Sequence, residues 1–187
     1  MGKVISLIIT TPNGSVDGQI IKTDPEYNEF WHGLLSDSQA VTFGRNSYEI
    51  LQKIQTSRLE NENTPEWQMR MAKALTDIPK IVYSTTLKAA TWNNSTIETK
   101  IDAGNINSYK QDGEGGLLII GSPSLIEAFT KMKLIDDYYF CVFPIIAGIG
   151  GIPFFDKMDS DTNQPLKFVE STQLKSGVHI IHYQRIN

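Results

Sequence analysis

The 187-residue chain predicts an α/β domain with a mixed central sheet, parallel inside and closed at one edge by an antiparallel hairpin. Three observations predict it. Short apolar, β-branched runs alternate with helical stripes as far as about residue 146. Three of these runs end in glycine, hydroxyl or arginine residues that lead into a helix or turn. The tail from Leu166 alternates apolar and polar residues on both sides of Lys175-Ser176-Gly177, the pattern of a hairpin.

Taken in order, Lys3 to Thr10 reads as a strand, and Thr11-Pro12-Asn13-Gly14 as a turn cluster. Ser15-Val16-Asp17-Gly18 follows, with Ile20-Ile21 behind it; the Asp-Gly pair reads as a hairpin turn, or as a pocket wall with apolar anchors. Thr23 or Asp24 caps a helix that has Pro25 at its first position. Tyr27, Phe30, Trp31 and Leu34-Leu35 form its apolar stripe, while Glu26, Asn28, Glu29 and His32 are its polar members, each able to face a pocket but more often simply solvated. A short strand from Gln39 to Phe43 meets Gly44-Arg45-Asn46-Ser47, and a helix with Tyr48, Ile50, Leu51 and Ile54 on its apolar side follows.

Residues 55–78 read as a polar elaboration holding a short helix from Pro65 to Leu75. Pro79 to Thr86 is the next strand, ending in Ser84-Thr85-Thr86. Ser95 to Glu98 is a brief strand, and 101–109 a weakly patterned helix. Leu117-Leu118-Ile119-Ile120 is a buried strand; Gly121-Ser122 turns the chain, and Pro123 opens a helix where its missing N–H costs nothing. A long strand from Tyr138 to Ile146, a glycine-rich loop at 147–151 and the tail hairpin complete one domain over residues 1–187.

The net charge of −4 does not suit a general nucleic-acid binder. One cysteine, Cys141, lies in an apolar run and excludes an intrachain disulfide. His179 and His182 face opposite ways on a strand, and no Cys/His cluster has metal-ligand spacing, so no metal site is expected. The N-terminus lacks a secretory pattern and no apolar run reaches membrane-span length, so the expectation is a cytoplasmic protein with no membrane partner.

The chemistry is concentrated at the ends of three strands. A strand, a tight glycine turn and a helix aim backbone N–H groups and the positive end of a helix dipole at one place, a ready site for phosphate. Gly121-Ser122-Pro123-Ser124 has that form, and so does Gly44-Arg45-Asn46-Ser47, whose arginine presents a charged fork. If their strands run parallel with the one ending at Ser84-Thr85-Thr86, all three turns share one sheet edge, where α/β folds bind ligands.

The chain resembles the dihydrofolate reductase-like superfamily, and within it the reductase (C-terminal) domain family of the bifunctional riboflavin biosynthesis protein. The resemblance rests on an ordered set of segments: Ser15 to Gly18, Phe43 to Glu49, Pro79 to Leu87, Trp92-Asn93, Ile119 to Ser122, Leu134 to Asp137, Pro144 to Phe155, and the closing hairpin. It implies a three-layer dihydrofolate reductase-like fold, NADPH as cofactor and a homodimer. By it, Gly44, Arg45, Asn46 and Ser47 bind the adenosine 2′-phosphate side, Ser84 and Thr85 lie near the adenosine, and Gly121, Ser122, Ser124 and Leu125 lie at the diphosphate. The family often has Gly-Gly where this chain has Gly121-Ser122. The loop carrying Asp17 would lie by the nicotinamide and substrate. Dihydrofolate reductases place an acidic residue early in the first long helix; here that position falls at Asn28, with Glu29 as the neighbouring carboxylate. Asp17 and Glu29 are therefore the catalytic candidates. The implied activity is reduction of a small heterocycle, either 5-amino-6-(5-phosphoribosylamino)uracil or dihydrofolate in type. The alternative is a non-catalytic nucleotide-binding or interaction module on the same fold.

Overall fold

The computed structural model describes residues 2–16, 24–111, 115–148, 150–159 and 163–186. Its strands are β1 (Val4–Thr10), β2 (Ser15–Val16), β3 (Ser38–Gly44), β4 (Lys80–Tyr83), β5 (Ser95–Glu98), β6 (Gly116–Ile120), β7 (Asp137–Val142), β8 (Ile152–Pro153), β9 (Leu166–Gln173) and β10 (His179–Arg185). Its helices are α1 (Pro25–Ser36), α2 (Arg45–Glu60), α3 (Glu66–Asp77), α4 (Ala103–Gln111) and α5 (Pro123–Lys131).

Eight strands form one sheet in the order β5-β4-β3-β6-β1-β7-β10-β9. Pairs from β5 through β7 are parallel, and β10 runs antiparallel to both β7 and β9. Because side chains alternate along a strand, the sheet feeds two cores. Leu7, Val41, Phe43, Leu118, Ile120 and Cys141 face one side, where Tyr27, Trp31 and Leu35 of α1, Tyr48 of α2 and Met71 and Leu75 of α3 cover them. Val4, Ile8, Ala40, Leu117, Ile119 and Tyr138 face the other, under Ile106 of α4 and Leu125, Ile126 and Phe129 of α5. The fold is thus three layers, with the mixed sheet and the C-terminal hairpin that the sequence predicts.

Five details differ from the sequence reading. Helix α2 continues through the polar stretch to Glu60. Its buried members are Tyr48 and Gln55, whereas Ile50 and Ile54 are exposed, so the buried stripe is rotated from the one expected. Strand β7 stops at Val142, just before Phe143 and Pro144, and a proline has no N–H to continue the ladder. The strand before Ser84 stops at Tyr83, and Ser84 begins a turn. Ser15-Val16 does not turn back on β1 alone but pairs with Ile152-Pro153 in a separate two-stranded ribbon.

A buried pin holds β4 against α2 and α3. The Lys80 ammonium donates to the carbonyls of Thr76, Ile78 and Asn93 at 2.8–2.9 Å and lies 4.8 Å from the centre of the Trp92 ring. Three acceptors match the three ammonium protons. Trp92 also donates its backbone N–H to the Tyr48 hydroxyl at 2.7 Å and its indole N–H to Thr76. Among the described residues no helix is long and apolar enough to cross a membrane.

Candidate functional site

Parallel pairing puts the carboxyl ends of β4, β3, β6, β1 and β7 along one edge. From β3 the chain passes to α2 on one face; from the adjacent β6 it passes to α5 on the other. This is a topological switch point, where departing helices leave a crevice beyond the strand ends. The turns at Gly44 and Gly121 stand on its two sides.

The two turns interlock. Ser47 Oγ accepts the N–H of Ser122 at 3.1 Å. Gly121 has φ +59°, which suits glycine, and a Cβ there would stand 2.9 Å from Ser47 Oγ. Ser122 Oγ lies 3.0 Å from Ser124 Oγ. Neither α2 nor α5 has a side chain capping its first turn. Two helix N-termini therefore meet at the crevice with their dipoles uncompensated by a capping side chain, an arrangement that favours an anion.

Arg45 follows Gly44 and is half exposed. Its Nε donates to Glu49 Oε1 at 3.0 Å and its Nη1 to Thr86 Oγ1 at 3.0 Å. These bonds use two of the guanidinium's five N–H donors and hold the fork against the turn after β4. Ser84 Oγ accepts from the N–H groups of Thr86 and Leu87 at 3.1 and 2.9 Å, which shapes that turn. Asn46, Thr85 and Ser124 are exposed around the same edge, and Leu125 is buried beneath it. The structure thus brings together all ten residues from Gly44 to Leu125 that the sequence reading assigned to a cofactor. Glu49 and Thr86 were missed as partners of Arg45; the i,i+4 spacing from Arg45 was the available signal for Glu49.

The catalytic candidates are not brought together. Asp17 lies outside the described residues. Glu29 is exposed on α1 and pairs with Arg70 of α3 at the surface, away from the buried stripe of its helix.

Asn28, read as either pocket-facing or solvated, is 3% exposed and belongs to the buried face of α1. That end of α1 lies at the same edge: Tyr27 packs edge-on against Phe143, just past β7, and Glu26 accepts from Lys175 N in the hairpin turn. Burial pushes the Tyr27 hydroxyl well above its ordinary value, with the neighbouring Cys141 thiol adding to the rise. Asp24 caps the helix through Oδ1, which accepts from Tyr27 N at 2.9 Å. Past the end of β1, Asn13 clasps Ala147 through two bonds, Nδ2–H to the carbonyl and Oδ1 from the N–H, at 3.0 and 3.1 Å. Among the described residues no group of three or more His, Cys, Asp or Glu is placed to hold a metal ion.

A doubly wound mixed sheet with these turns at its switch point defines a dihydrofolate reductase-like fold. The dihydrofolate reductase of Enterococcus faecalis, in a structure complexed with NADP(H), shares it at a TM-score of 0.61 over 100% of this chain and 98% of that one, with 14% identity. The chain belongs to the RibD C-terminal domain family, whose pattern matches residues 8–180. A putative riboflavin biosynthesis protein from Shewanella sp. PV-4 superposes with a TM-score of 0.69 over 99% of each chain at 18% identity. The uncharacterized protein YyaP of Bacillus subtilis is 24% identical over 176 residues, covering 91% of this chain and 85% of that protein.

Proposed function

We propose that this chain is an NADPH-dependent reductase of a small heterocyclic substrate. The observation that carries the reading is the pair of uncapped helix N-termini, α2 and α5, joined by the Ser47–Ser122 bond beside a half-exposed arginine. That donor set fits a ligand with a diphosphate and a separate monophosphate. The first turn of α5, with Ser124 and Leu125, would hold the diphosphate through backbone N–H groups and the Ser124 hydroxyl. Arg45 would give its remaining N–H donors to the monophosphate, with Asn46 and Ser47 beside it. Ser84 and Thr85 would flank the adenosine.

Bound NADPH supplies a hydride. The protein's part is then to hold cofactor and substrate in register and to exclude water, a positioning task. The Asn13–Ala147 clasp and the β2–β8 ribbon would fix the wall of the crevice beside the substrate. Asp17 is the remaining acidic candidate for the proton. Substrates of the 5-amino-6-(5-phosphoribosylamino)uracil or dihydrofolate type follow from family membership. A homodimer is the assembly proposed with it; the long edge strand β9, with Phe168 and Val169 exposed, offers a surface for one.

Calorimetric titration with NADPH and NADH, on the wild-type protein and Arg45→Ala, tests the reading. NADPH should bind more tightly than NADH, and Arg45→Ala should abolish the difference. Failure of both dinucleotides to bind at millimolar concentration overturns the assignment.

A further inference from the structure

Helix α5 buries a carboxylate. Glu127 is 6% exposed and counts among the buried members of the helix with Leu125, Ile126 and Phe129. Its two oxygens have separate partners. Oε2 accepts the backbone N–H of Lys157 at 3.3 Å, and Oε1 lies 3.1 Å from Lys131 Nζ, one turn further along the helix. Lys131 in turn donates to the Lys157 carbonyl. Two side chains of α5 therefore grip both backbone polar groups of one residue in the segment after β8. A buried ion pair is a poor device for stability, since apolar residues of like size often do as well. What an oxygen at this position adds is a fixed place for Lys157.

The gripped segment is short and leads straight to the crevice. From Lys157 back to β8 it runs through Phe154 and Phe155, which pack on the α5 side of the sheet. Phe155 has φ +60°, a left-handed conformation that a bulky residue keeps only where its surroundings hold it. The Met158 N–H closes that turn on the Phe155 carbonyl at 3.3 Å. At the far end β8 pairs with β2, and Phe154 donates its N–H to the Gly14 carbonyl at 3.1 Å. On the helix side, Glu127 stands about 6 Å along the axis from Pro123. One helix thus carries both the first turn beside the crevice and the grip on a strap, residues 152–157, whose other end builds the β2–β8 ribbon.

We infer that Glu127 is a positioning residue: through Lys157 it ties the β2–β8 ribbon to α5, so that an anion seated on the first turn of α5 steadies the ribbon. The inference rests on the reductase reading only in taking NADPH as the source of that anion. Neither end has to move far. An anion at the helix N-terminus restrains the helix, the helix restrains Lys157, and the ribbon opens less often. Without the grip the packing of Phe154 and Phe155 remains, but the two ends respond independently.

Residue-resolved amide hydrogen exchange on the full chain, free and saturated with NADPH, tests this. The reporter is the Phe154 N–H, which is exposed when the ribbon opens; the amides of β6 are the reference. Glu127→Leu keeps the bulk and removes both oxygens, whereas Glu127→Gln keeps an acceptor for the Lys157 N–H. In the free protein Phe154 should exchange about tenfold or more faster in Glu127→Leu and within about threefold of wild type in Glu127→Gln, with β6 unchanged. NADPH should slow Phe154 about tenfold in wild type and in Glu127→Gln, and not at all in Glu127→Leu. Calorimetry should show all three binding NADPH within about twofold of one another, because a ribbon that is mostly closed in either state shifts protection far more than affinity. Four results overturn the inference: Phe154 exchange in Glu127→Leu within about twofold of wild type, equal acceleration in the two variants, no slowing by bound NADPH in wild type, or full slowing retained in Glu127→Leu. A wild type that binds no NADPH strikes the reductase reading instead, and the free-protein exchange of the two variants then decides whether Glu127 holds the ribbon.

Discussion

Gly44 and Ser122 lie so close that a Cβ on Gly44 would stand 2.7 Å from both the Cβ and the Oγ of Ser122. The contact is between the turns after β3 and β6, the two strands at the switch point. Gly44 has ordinary extended backbone, so the position requires glycine for space and not for φ. Gly44→Ala should therefore cost about 1–3 kcal/mol through overpacking. Relief would push the two turns apart and stretch the Ser47–Ser122 bond. A chemical denaturation curve should show the loss of stability, and NADPH titration a loss of affinity. The compensating double substitution Gly44→Ala with Ser122→Gly should restore both; no recovery in the double variant would refute this account of the contact.

Glu49 holds Arg45 in place but also sets a negative charge 3.0 Å from the guanidinium. A phosphate at Arg45 would have to share it with that carboxylate. Glu49→Gln keeps a hydrogen-bond acceptor and removes the charge. NADPH should then bind a few-fold more tightly, with a larger gain at low salt because the pair is exposed and screened. Affinity measured at two ionic strengths checks this, and a fall in affinity would mean that Glu49 positions Arg45 more than it competes with phosphate.

The half of the candidate site built from the turns after β3 and β6 was legible in the sequence and the half beside α1 was not, for physical reasons. Gly44-Arg45-Asn46-Ser47 and Gly121-Ser122-Pro123-Ser124 are local: strand, turn and helix start lie within a few residues, so each signals its own geometry. The parallel sheet then aligns them. By contrast, the burial of Asn28 depends on which face of α1 packs on β7, and a mixed apolar and polar stripe does not fix that rotation. The same ambiguity misplaced Ile50 and Ile54 on α2, where Gln55 takes the inward position instead. Glu29 was a candidate because it neighbours Asn28, yet on a helix consecutive residues do not share a face, and Arg70 comes from a distant helix.

At the opposite edge of the sheet, Asp137 is 2% exposed and joins three strands. Its Oδ1 lies 2.6 Å from His182 Nε2 on β10, and its Oδ2 is 2.9 Å from Lys3 Nζ beside β1. His182 in turn stacks on Tyr139 with ring centres 4.2 Å apart. Asp137→Ala should leave the His182 ring nitrogen buried without its partner and cost about 1–3 kcal/mol, the scale for a buried polar group left unsatisfied. Cofactor binding should persist in the folded protein, because this cluster lies at the amino ends of the strands. A denaturation midpoint like wild type would show that the pairing contributes nothing to stability.

Cys141 gives a prediction in pH. Burial pushes its thiol up to about 12 from 9.0, with the Tyr27 hydroxyl opposing the rise. Below the unfolded value both states carry the proton and the thiol's contribution is complete. As pH rises past 9.0 the unfolded chain releases its proton while the folded chain keeps it, so folding loses stability until the folded value is passed. Two other groups titrate nearby. Lys80, lowered to about 8 by burial against the opposing charge of Asp77, pulls the other way, since the unfolded chain holds that proton longer and stability gains as pH rises from about 8 to 10.5. Tyr27 acts in the same sense as Cys141 but only from its unfolded value of 10.0 upward. The comparison that isolates the thiol is therefore wild type against Cys141→Ala at about pH 8 and about pH 9.5. The cavity left by the substitution costs the same at both, and Lys80 and Tyr27 are common to both proteins. Wild type should lose ground to the variant over that interval. Parallel stability curves would mean that the thiol ionises as readily in the folded protein as in the unfolded chain.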